Sequence, residues 1–410
     1  MTLKNAIDIA LKNNFDIQIA RKNTDINRLN NSYGIAGGLP SINGTAGDNS
    51  SSSNIDQQLS SGSEIISKNA AGNTLTAGVT GGIVLFNGFK VVATKERLNN
   101  LQKQSELQLN LQIQNTMASV MVKYYDIIRQ NIYLKILRSS LDVSKQKLDI
   151  VTERKNVGMA NDADYLQAKI DANIAEQNVK VQELTIEQDK TDFLQLISAK
   201  DYNPIEINDS IIVDNNIKLD TIINYLKQNP QYLSAEQQIR INEQIVREVN
   251  SQRYPSVKLN TGYNYSRVKS NAGSMLLNQS YGPFAGFSLQ IPIYNGNQYK
   301  TQKDVAINNV NIAKLQQENL LNSLFSDAIK SWQAYNINMQ QLHSQLINYE
   351  LSKKLVDVVL QRFQQNQATI IDIKTAQTSF ENAGYLLVNL QYAAKSAEIE
   401  LNRLIYRLGN

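Results

Sequence analysis

Three acidic residues follow predicted helix breaks, and their positions could support chemistry. Asp162 and Asp164 come shortly after Gly158, and Asp372 comes shortly after Asn366. Glycine and asparagine adopt the left-handed conformation that ends a helix more readily than other residues do. A carboxylate at the start of the next helix can then interact with the free backbone N–H groups there. The residue types alone therefore predict two helical hairpin tips, each followed by acidic residues in an N-cap or first-turn position.

Catalytic and metal-binding chemistry is not expected. The 410 residues include no cysteine and one histidine, which removes thiol chemistry, disulfides and cysteine-ligated zinc. The sequence contains no P-loop, GxSxG or GxGxxG motif, and its acids are too scattered for a paired-carboxylate site. We therefore expect neither an enzyme nor a bound cofactor or metal.

Composition narrows the classes of partner. The net charge is +4 and is spread thinly, without a basic block that would follow a phosphate backbone, so nucleic acid is not expected as a partner. No apolar run reaches the length of about 18 residues that a membrane-spanning helix needs. No export signal precedes the first predicted helix, and we expect the sequence to be a mature or trimmed form of an exported protein.

The elements that position the acidic residues occur twice. At a shift of 208 residues, the distance from Gly88 to Gly296, the segment LFNG aligns with IYNG. The same shift aligns ERKNVGMANDADYLQAK with QRFQQNQATIIDIKTAQ. Upstream, LPSI resembles YPSV and IALKNNFDIQIA resembles NYLKQNPQYLSA at slightly larger shifts. Each half therefore predicts helix, strand, loop, strand, very long helix, turn and helix.

The repeat sets the predicted domain boundaries. The first repeat covers 1–198, the polar segment 199–218 joins the halves as a linker, and the second repeat covers 219–410. The predicted strands are, in chain order, about 39–53, 74–86, 255–268 and 282–293. Long polar loops, 47–64 and 269–280, are expected within each pair of strands.

The predicted helices are unusually long and have coiled-coil spacing. One runs from about 90 to 156 and its repeat from about 298 to 365. Apolar residues in the first step by three and four positions, as the a and d positions of a coiled coil do. The shorter predicted helices, 2–32 and 162–198, together match one long helix in length, so they would lie end to end beside it.

The strands alternate between apolar and polar residues. In 257–268, one face of the predicted strand carries Val257, Leu259, Thr261, Tyr263 and Tyr265. The other face carries Lys258, Asn260, Asn264 and Ser266. This pattern fits a membrane strand, but a soluble sheet with one wet face alternates in the same way, and alternation alone favours the soluble sheet. Four strands are too few to close a barrel, which needs about eight, so a membrane barrel would have to be shared among subunits.

The doubled plan, the LFNG and IYNG junctions and the R-x-x-x-G…D…A hairpin tips resemble the TolC-like outer-membrane efflux protein family. The resemblance covers 1–408. It implies an α+β fold in which three chains share a 12-stranded outer-membrane β-barrel, four strands from each chain, continued by a long α-helical coiled-coil barrel. In this fold the chain leaves the barrel and enters the tunnel at two strand-to-helix junctions, formed here by Asn87, Gly88, Pro292, Asn295 and Gly296.

The resemblance also implies roles for residues at the tips. Asp372 matches a family acid that lines the tunnel constriction and selects cations, and Phe363 matches an aromatic residue near the same gate. The second acid of the family gate falls on Thr375 and a family arginine on Ala368, so this gate would have one acidic ring. A purely structural capping role for Asp372 stays open as the alternative. The tip residues Gly158, Asp162, Asp164 and Asn366 would contact an adaptor.

Together these features predict a homotrimeric channel-tunnel in the outer membrane of a Gram-negative-type bacterium, extending into the periplasm. It would act as the exit duct of a tripartite efflux pump or a type I secretion system. The implied partners are outer-membrane lipid, a periplasmic adaptor (membrane fusion) protein and an inner-membrane pump or ABC transporter. The alternative is a soluble or surface-attached coiled-coil scaffold with no channel.

Overall fold

The computed structural model describes residues 1–199, 202 and 205–409. The described elements follow one another as α1 (Leu3–Asn13), α2 (Phe15–Asn30), β1 (Ser41–Gln58), β2 (Glu64–Asn87), α3 (Lys90–Asn156), α4 (Asp162–Leu196), α5 (Leu219–Tyr225), α6 (Pro230–Ser251), β3 (Ser256–Ser270), β4 (Leu277–Gln290), α7 (Gln298–Gln364) and α8 (Ile370–Leu404). A short 3₁₀ turn, Leu226–Gln228, lies between α5 and α6.

The chain forms two compact units, and each takes segments from both sequence repeats. The helical unit comprises Met1–Asn23, Ser105–Ser234 and Gln317–Asn410. The strand unit comprises Thr24–Gln104 and Ala235–Gln316. Each compact unit therefore contains parts of both sequence repeats, and the repeats are seen as two similar sets of helices and strands.

The strand unit contains one antiparallel sheet in the order β1-β2-β3-β4. The first two strands are longer than predicted, and the expected loop 47–64 is mostly strand; Ser50, for example, pairs with Asn73. That prediction was wrong because a run of serine and asparagine is typical of loops, whereas here the partner strand satisfies the backbone groups. The second expected loop, 269–280, is shortened to the residues between Ser270 and Leu277.

Strand pairing shows that the two repeats fold alike. Ile42 pairs with Gly81 in the first hairpin, and Val257 pairs with Leu289 in the second. Val257 is the repeat equivalent of Ile42 at the larger shift, and Leu289 is the repeat equivalent of Gly81 at the shift of 208 residues. The same register therefore occurs in both hairpins, which confirms the internal repeat.

The long helices of the prediction are confirmed, but the first short helix is not continuous. α3 and α7 each contain 67 residues, close to the predicted limits. The predicted helix 2–32 is divided into α1 and α2 at Asn14. The Asn14 side chain accepts hydrogen bonds from the backbone N–H of Asp16 at 3.0 Å and of Ile17 at 3.2 Å. These bonds begin a new helix, and apolar spacing that continues across Asn14 hides the break.

The same device occurs in the second half at Asn229. Its side-chain oxygen accepts from the Gln231 N–H at 2.8 Å. The other end of each amide reaches a helix C-terminus: Asn14 donates to the Leu196 carbonyl at 3.1 Å, and Asn229 donates to the Leu404 carbonyl at 2.9 Å. Each asparagine therefore satisfies groups at the start of one helix and at the end of another.

The core of the helical unit is built from these helices and part of the linker. A buried cluster contains Tyr124, Ile127, Phe193, Ile197 and Ile207. Ile207 belongs to the predicted linker 199–218, of which residues 200, 201, 203 and 204 lie outside the described part of the chain. The Asp214 N–H donates to the Glu398 carboxylate at 3.0 Å, so the described linker packs on the helical unit.

Within the described ranges, no helix carries an apolar stretch of the length and hydropathy needed to cross a membrane.

Candidate functional site

The first hairpin tip joins α3 to α4. Gly158 has φ +75°, the left-handed conformation predicted for a helix end. Asn161 is the N-cap of α4, and its side chain accepts from the Asp164 N–H at 2.7 Å. Asp162 and Asp164 are therefore first-turn acids and not the cap itself. Lys155 donates to Asp162 at 2.7 Å, and this bond lowers the pKa of the Asp162 carboxyl.

The second tip joins α7 to α8 and contains a capping box. Asn366 is left-handed, with φ +60°. The Thr369 hydroxyl accepts from the Asp372 N–H at 3.2 Å, while the Asp372 carboxylate accepts from the Thr369 N–H at 2.7 Å. This backbone hydrogen bond, with a second one from the Thr369 hydroxyl, lowers the pKa of the Asp372 carboxyl. The capping role of Asp372 is thus present in the single chain, and its gate role stays a prediction.

The other two predicted gate residues differ in exposure. The Phe363 side chain is only 3% exposed and packs in a cluster with Val151, Leu360 and Ile373. Thr375 is exposed, and its hydroxyl donates to the Ile371 carbonyl at 2.9 Å. In the single chain Phe363 therefore contributes to the packing of the tip, and Thr375 is the accessible side chain of the two.

Arg154 connects the two tips. Its guanidinium lies 4.3 Å from the centroid of the Phe363 ring and also donates to the Phe363 backbone carbonyl. Arg154 lies in the last turn of the first long helix and Phe363 in the last turn of the second. A cation–π contact and a charge-assisted hydrogen bond therefore hold the ends of α3 and α7 together.

A buried ion pair, which the sequence analysis missed, lies further from the tips. The Lys147 side chain is fully buried and its ammonium group lies 2.6 Å from the Asp171 carboxylate. Lys374 of α8 approaches the same carboxylate at 3.1 Å, and Gln167 donates to it at 2.8 Å. Burial alone would raise the pKa of Asp171, but the bonds from Lys147, Lys374 and Gln167 outweigh it and lower that pKa. Asp171 thus joins α3, α4 and α8.

The strand-to-helix junctions both use two consecutive left-handed residues. Gly88 and Phe89 have φ +67° and +65°, and Gly296 and Asn297 both have φ +64°. The Asn87 side chain accepts from the Val91 N–H at 3.4 Å. The predicted Asn-Gly turns are therefore present, and each turns the chain from the sheet into a 67-residue helix.

The two junctions differ in what surrounds them. A Cβ placed on Gly88 would lie 2.5 Å from the Ser251 carbonyl oxygen and 2.8 Å from Cβ of Tyr254, so no larger residue fits there. A Cβ placed on Gly296 would meet nothing within 4 Å. Pro292 and Asn295 line an open cavity of about 590 Å³ at this second junction. The buried side-chain nitrogen of Asn295 has no hydrogen-bond partner among the described residues.

The sheet carries one continuous apolar face. Directly paired residues of antiparallel strands lie on the same face. Val79 pairs with Tyr263, Leu259 pairs with Phe287, and Val257 pairs with Leu289, so the apolar sets predicted from alternation align across the strands. The apolar side chains at least half exposed on this face include Ile42, Val79, Tyr263, Phe287 and Leu289. The opposite face presents Lys258, Asn260 and Asn264.

No group of three or more acidic, histidine or cysteine side chains among the described residues is arranged to hold a metal ion.

Comparison with known proteins finds a family profile that matches this sequence. The profile described as "outer membrane efflux protein" matches residues 6–196 and 222–405, which is most of the chain. No protein of curated function matches the sequence.

Several solved structures share the fold of this chain. The outer membrane protein VceC of Vibrio cholerae is 17% identical with a TM-score of 0.76, covering 98% of this chain and 95% of its own. The CmeC outer membrane channel of Campylobacter jejuni is 16% identical with a TM-score of 0.80, covering 100% and 87%. A membrane protein of Pseudomonas aeruginosa is 16% identical with a TM-score of 0.80, covering 98% and 93%.

Proposed function

Because this chain belongs to the outer membrane efflux protein family, we propose that it acts as the exit duct of an efflux pump. The chain is an outer-membrane protein that extends into the periplasm. It has the family's trimeric fold, a β-barrel continued by a helical tunnel, with four strands and two repeats per chain.

The observation that carries the proposal is the apolar face of a sheet whose two outer strands each have one unpaired edge. The face would lie against lipid, because Phe287, Leu289 and Ile42 are exposed on it. β1 and β4 each pair with one neighbour within the described chain, so four strands leave two open edges. Open edges and an apolar outer face are both satisfied when several chains close one barrel in a membrane.

The partners and the transport reaction are the finer part of the proposal. The chain has no nucleotide-binding motif, so energy for transport would come from an inner-membrane pump or ABC transporter. A periplasmic adaptor protein would bind the hairpin tips, where Gly158, Asp162 and Asn366 are exposed and Asp164 is partly exposed. Both drug efflux and type I protein secretion use such a duct, and we propose efflux because the matching family profile is that of outer membrane efflux proteins.

The test is electrical and needs the full chain. Purified protein should require detergent, migrate as a trimer and give stepwise conductance in a planar lipid bilayer. A coiled-coil scaffold would be soluble without detergent and give no conductance, and that result would overturn the proposal. Restored resistance to toxic solutes in cells lacking their own exit duct would favour efflux, whereas restored export of a protein substrate alone would favour type I secretion.

A further inference from the structure

From the internal repeat we infer that β4 of one chain pairs with β1 of a second copy in a defined register, and that the second copy fills the open junction at Gly296. The inference rests on the proposed trimeric channel and specifies how its chains meet. Every residue that it uses belongs to the strand unit. The partner on both edges is another copy of this chain.

The repeat gives the correspondence between residues. β2 corresponds to β4 at the shift of 208 residues, so Ala77 corresponds to Ala285. β1 corresponds to β3 at the shift that relates Ile42 to Val257, so Ser50 corresponds to Tyr265. The identical register of the two hairpins shows that these correspondences hold in three dimensions and not only in the sequence.

Within the chain the two repeats meet where β2 pairs with β3, and Ala77 lies opposite Tyr265 there. Three identical chains in a closed ring make the same contact at every chain boundary. We take this contact to follow the one that joins the two repeats within the chain. Applying the correspondence to the pair Ala77–Tyr265 therefore places Ala285 opposite Ser50 of the second copy. The pair Gly81–Thr261 within the chain gives a second example. Leu289 corresponds to Gly81 and Ala46 to Thr261, so Leu289 lies opposite Ala46 of the second copy.

The junctions support the same arrangement. At the first junction, Ser251 and Tyr254 pack against Gly88 so closely that a Cβ would not fit. The repeat equivalents of Ser251 and Tyr254 are Ala36 and Leu39. Nothing described in the single chain lies within 4 Å of a Cβ placed on Gly296, and Leu39 is 60% exposed. The segment around Leu39 of the second copy would therefore occupy the cavity beside Gly296.

Exposed apolar residues at this junction also find partners. Ile293 and Tyr294 border the cavity and are 95% and 81% exposed, the highest values among the exposed large apolar side chains of the described residues. Ile35 and Leu39 are exposed on the other surface that the repeat assigns to the contact. The unpartnered amide of Asn295 lies in the same cavity and would meet a backbone acceptor of the incoming segment.

A third contact follows from the helices of the strand unit. Arg97 of α3 and Glu248 of α6 form an ion pair at 2.7 Å within the chain. At the repeat shifts these positions correspond to Val305 of α7 and to Tyr33, which lies just past the end of α2, and the two side chains are 54% and 57% exposed. Both members of the charged pair are thus replaced by apolar residues at the equivalent positions, as expected if Val305 and Tyr33 meet across the boundary between chains.

Disulfide crosslinking tests the register, because the chain contains no cysteine of its own. The double variant Ser50→Cys with Ala285→Cys places two thiols directly opposite each other, at a Cα separation of about 4.5–5.5 Å, which a disulfide accepts. Mild oxidation in membranes should convert it to a covalent trimer on a denaturing, non-reducing gel. The equivalent pair within the chain, Ala77→Cys with Tyr265→Cys, should crosslink but remain a monomer.

The control for register is Ser50→Cys with Phe287→Cys, which is on the same face but two residues out of register. Its thiols should be too far apart and the covalent trimer should be lost. If this control crosslinks as well as or better than the Ser50–Ala285 pair, the register is overturned while a trimer remains. If neither pair crosslinks although conductance shows an assembled channel, the seam is also overturned. A detergent-solubilised wild-type monomer without conductance would instead overturn the proposed channel.

Discussion

The guanidinium of Arg154 lies 4.3 Å from the centre of the Phe363 ring and also bonds the backbone carbonyl of that residue. Replacing Arg154 with Met removes both interactions and should lower the stability of the tip by about 1–3 kcal/mol. Arg362 is the repeat equivalent of Arg154 and is exposed, so Arg362→Met is the matched control and should change little. Hydrogen exchange of the backbone around Phe363 would measure the difference, and equal exchange in the two variants would contradict it.

The Lys147–Asp171 pair predicts a large effect. Asp171→Asn would leave the fully buried Lys147 without its carboxylate, which should cost about 3–5 kcal/mol of unfolding free energy. Removing both charges with Lys147→Met and Asp171→Leu should restore much of this loss. Denaturant unfolding in detergent would measure it. A double variant as unstable as Asp171→Asn would show that the loss is due to packing and not to an unpaired charge.

The same carboxylate predicts how stability depends on pH. Because the pKa of Asp171 is lower in the folded chain than the ordinary value of 3.8, its contribution is fully present at neutral pH. The contribution is lost as the pH falls from the ordinary value through the lowered folded value. The wild-type helical unit should therefore lose stability in that acidic range more steeply than Asp171→Asn. Parallel pH titrations of thermal unfolding would reveal the difference, and identical acid limbs would contradict it.

The gate prediction for Asp372 can be separated from its capping role. Asn and Asp cap helices about equally well, so Asp372→Asn should still assemble. If three copies of Asp372 form a ring, Asn should lower cation selectivity in planar-bilayer recordings and weaken block by multivalent cations. Asp164→Asn in the first tip is the control and should do less. Unchanged selectivity in Asp372→Asn would leave only the capping box with Thr369.

The apolar face of the sheet predicts which substitutions the barrel tolerates. Leu259→Arg or Leu289→Arg should destabilise the barrel by about 2–4 kcal/mol if these residues lie near the middle of the bilayer. Lys258→Arg and Asn264→Arg are on the opposite face and should be tolerated. The yield of trimer in membranes is the measurement. Similar yields for both sets would show that the face assignment is wrong.

Alternation, repeats and helix-ending residues were sufficient to predict most of the fold. The faces of Val257–Tyr265, the long helices and the left-handed Gly158 and Asn366 all follow from local patterns that the structure keeps. The helix break at Asn14 was missed because the apolar spacing continues across it, although its cap bonds to Asp16 and Ile17 are local. The Lys147–Asp171 pair was missed because charges on separate helices carry no mark of their partners.

The candidate site was predicted less completely than the fold. A capping role for Asp372 was predicted from its place after a helix break, whereas its capping-box partner Thr369, a local signal three residues earlier, was missed. Phe363 was assigned to a gate by resemblance, yet its burial depends on how Arg154 and Val151 pack against it. Adaptor contact at the tips is not tested by a single chain and stays a prediction.

In the proposed barrel, the two repeats meet within a chain where β2 pairs with β3, and they meet between chains where β4 pairs with β1. This difference affects how the barrel assembles. β2 and β3 can pair as soon as one chain folds, at a rate independent of concentration. β4 and β1 would have to wait for other chains, so barrel closure should be the step that slows with dilution. Until then each chain carries two strands with unsatisfied edges, the kind of surface that draws polypeptides into aggregates. We therefore expect the unassembled chain to be most prone to aggregation during transit to the membrane.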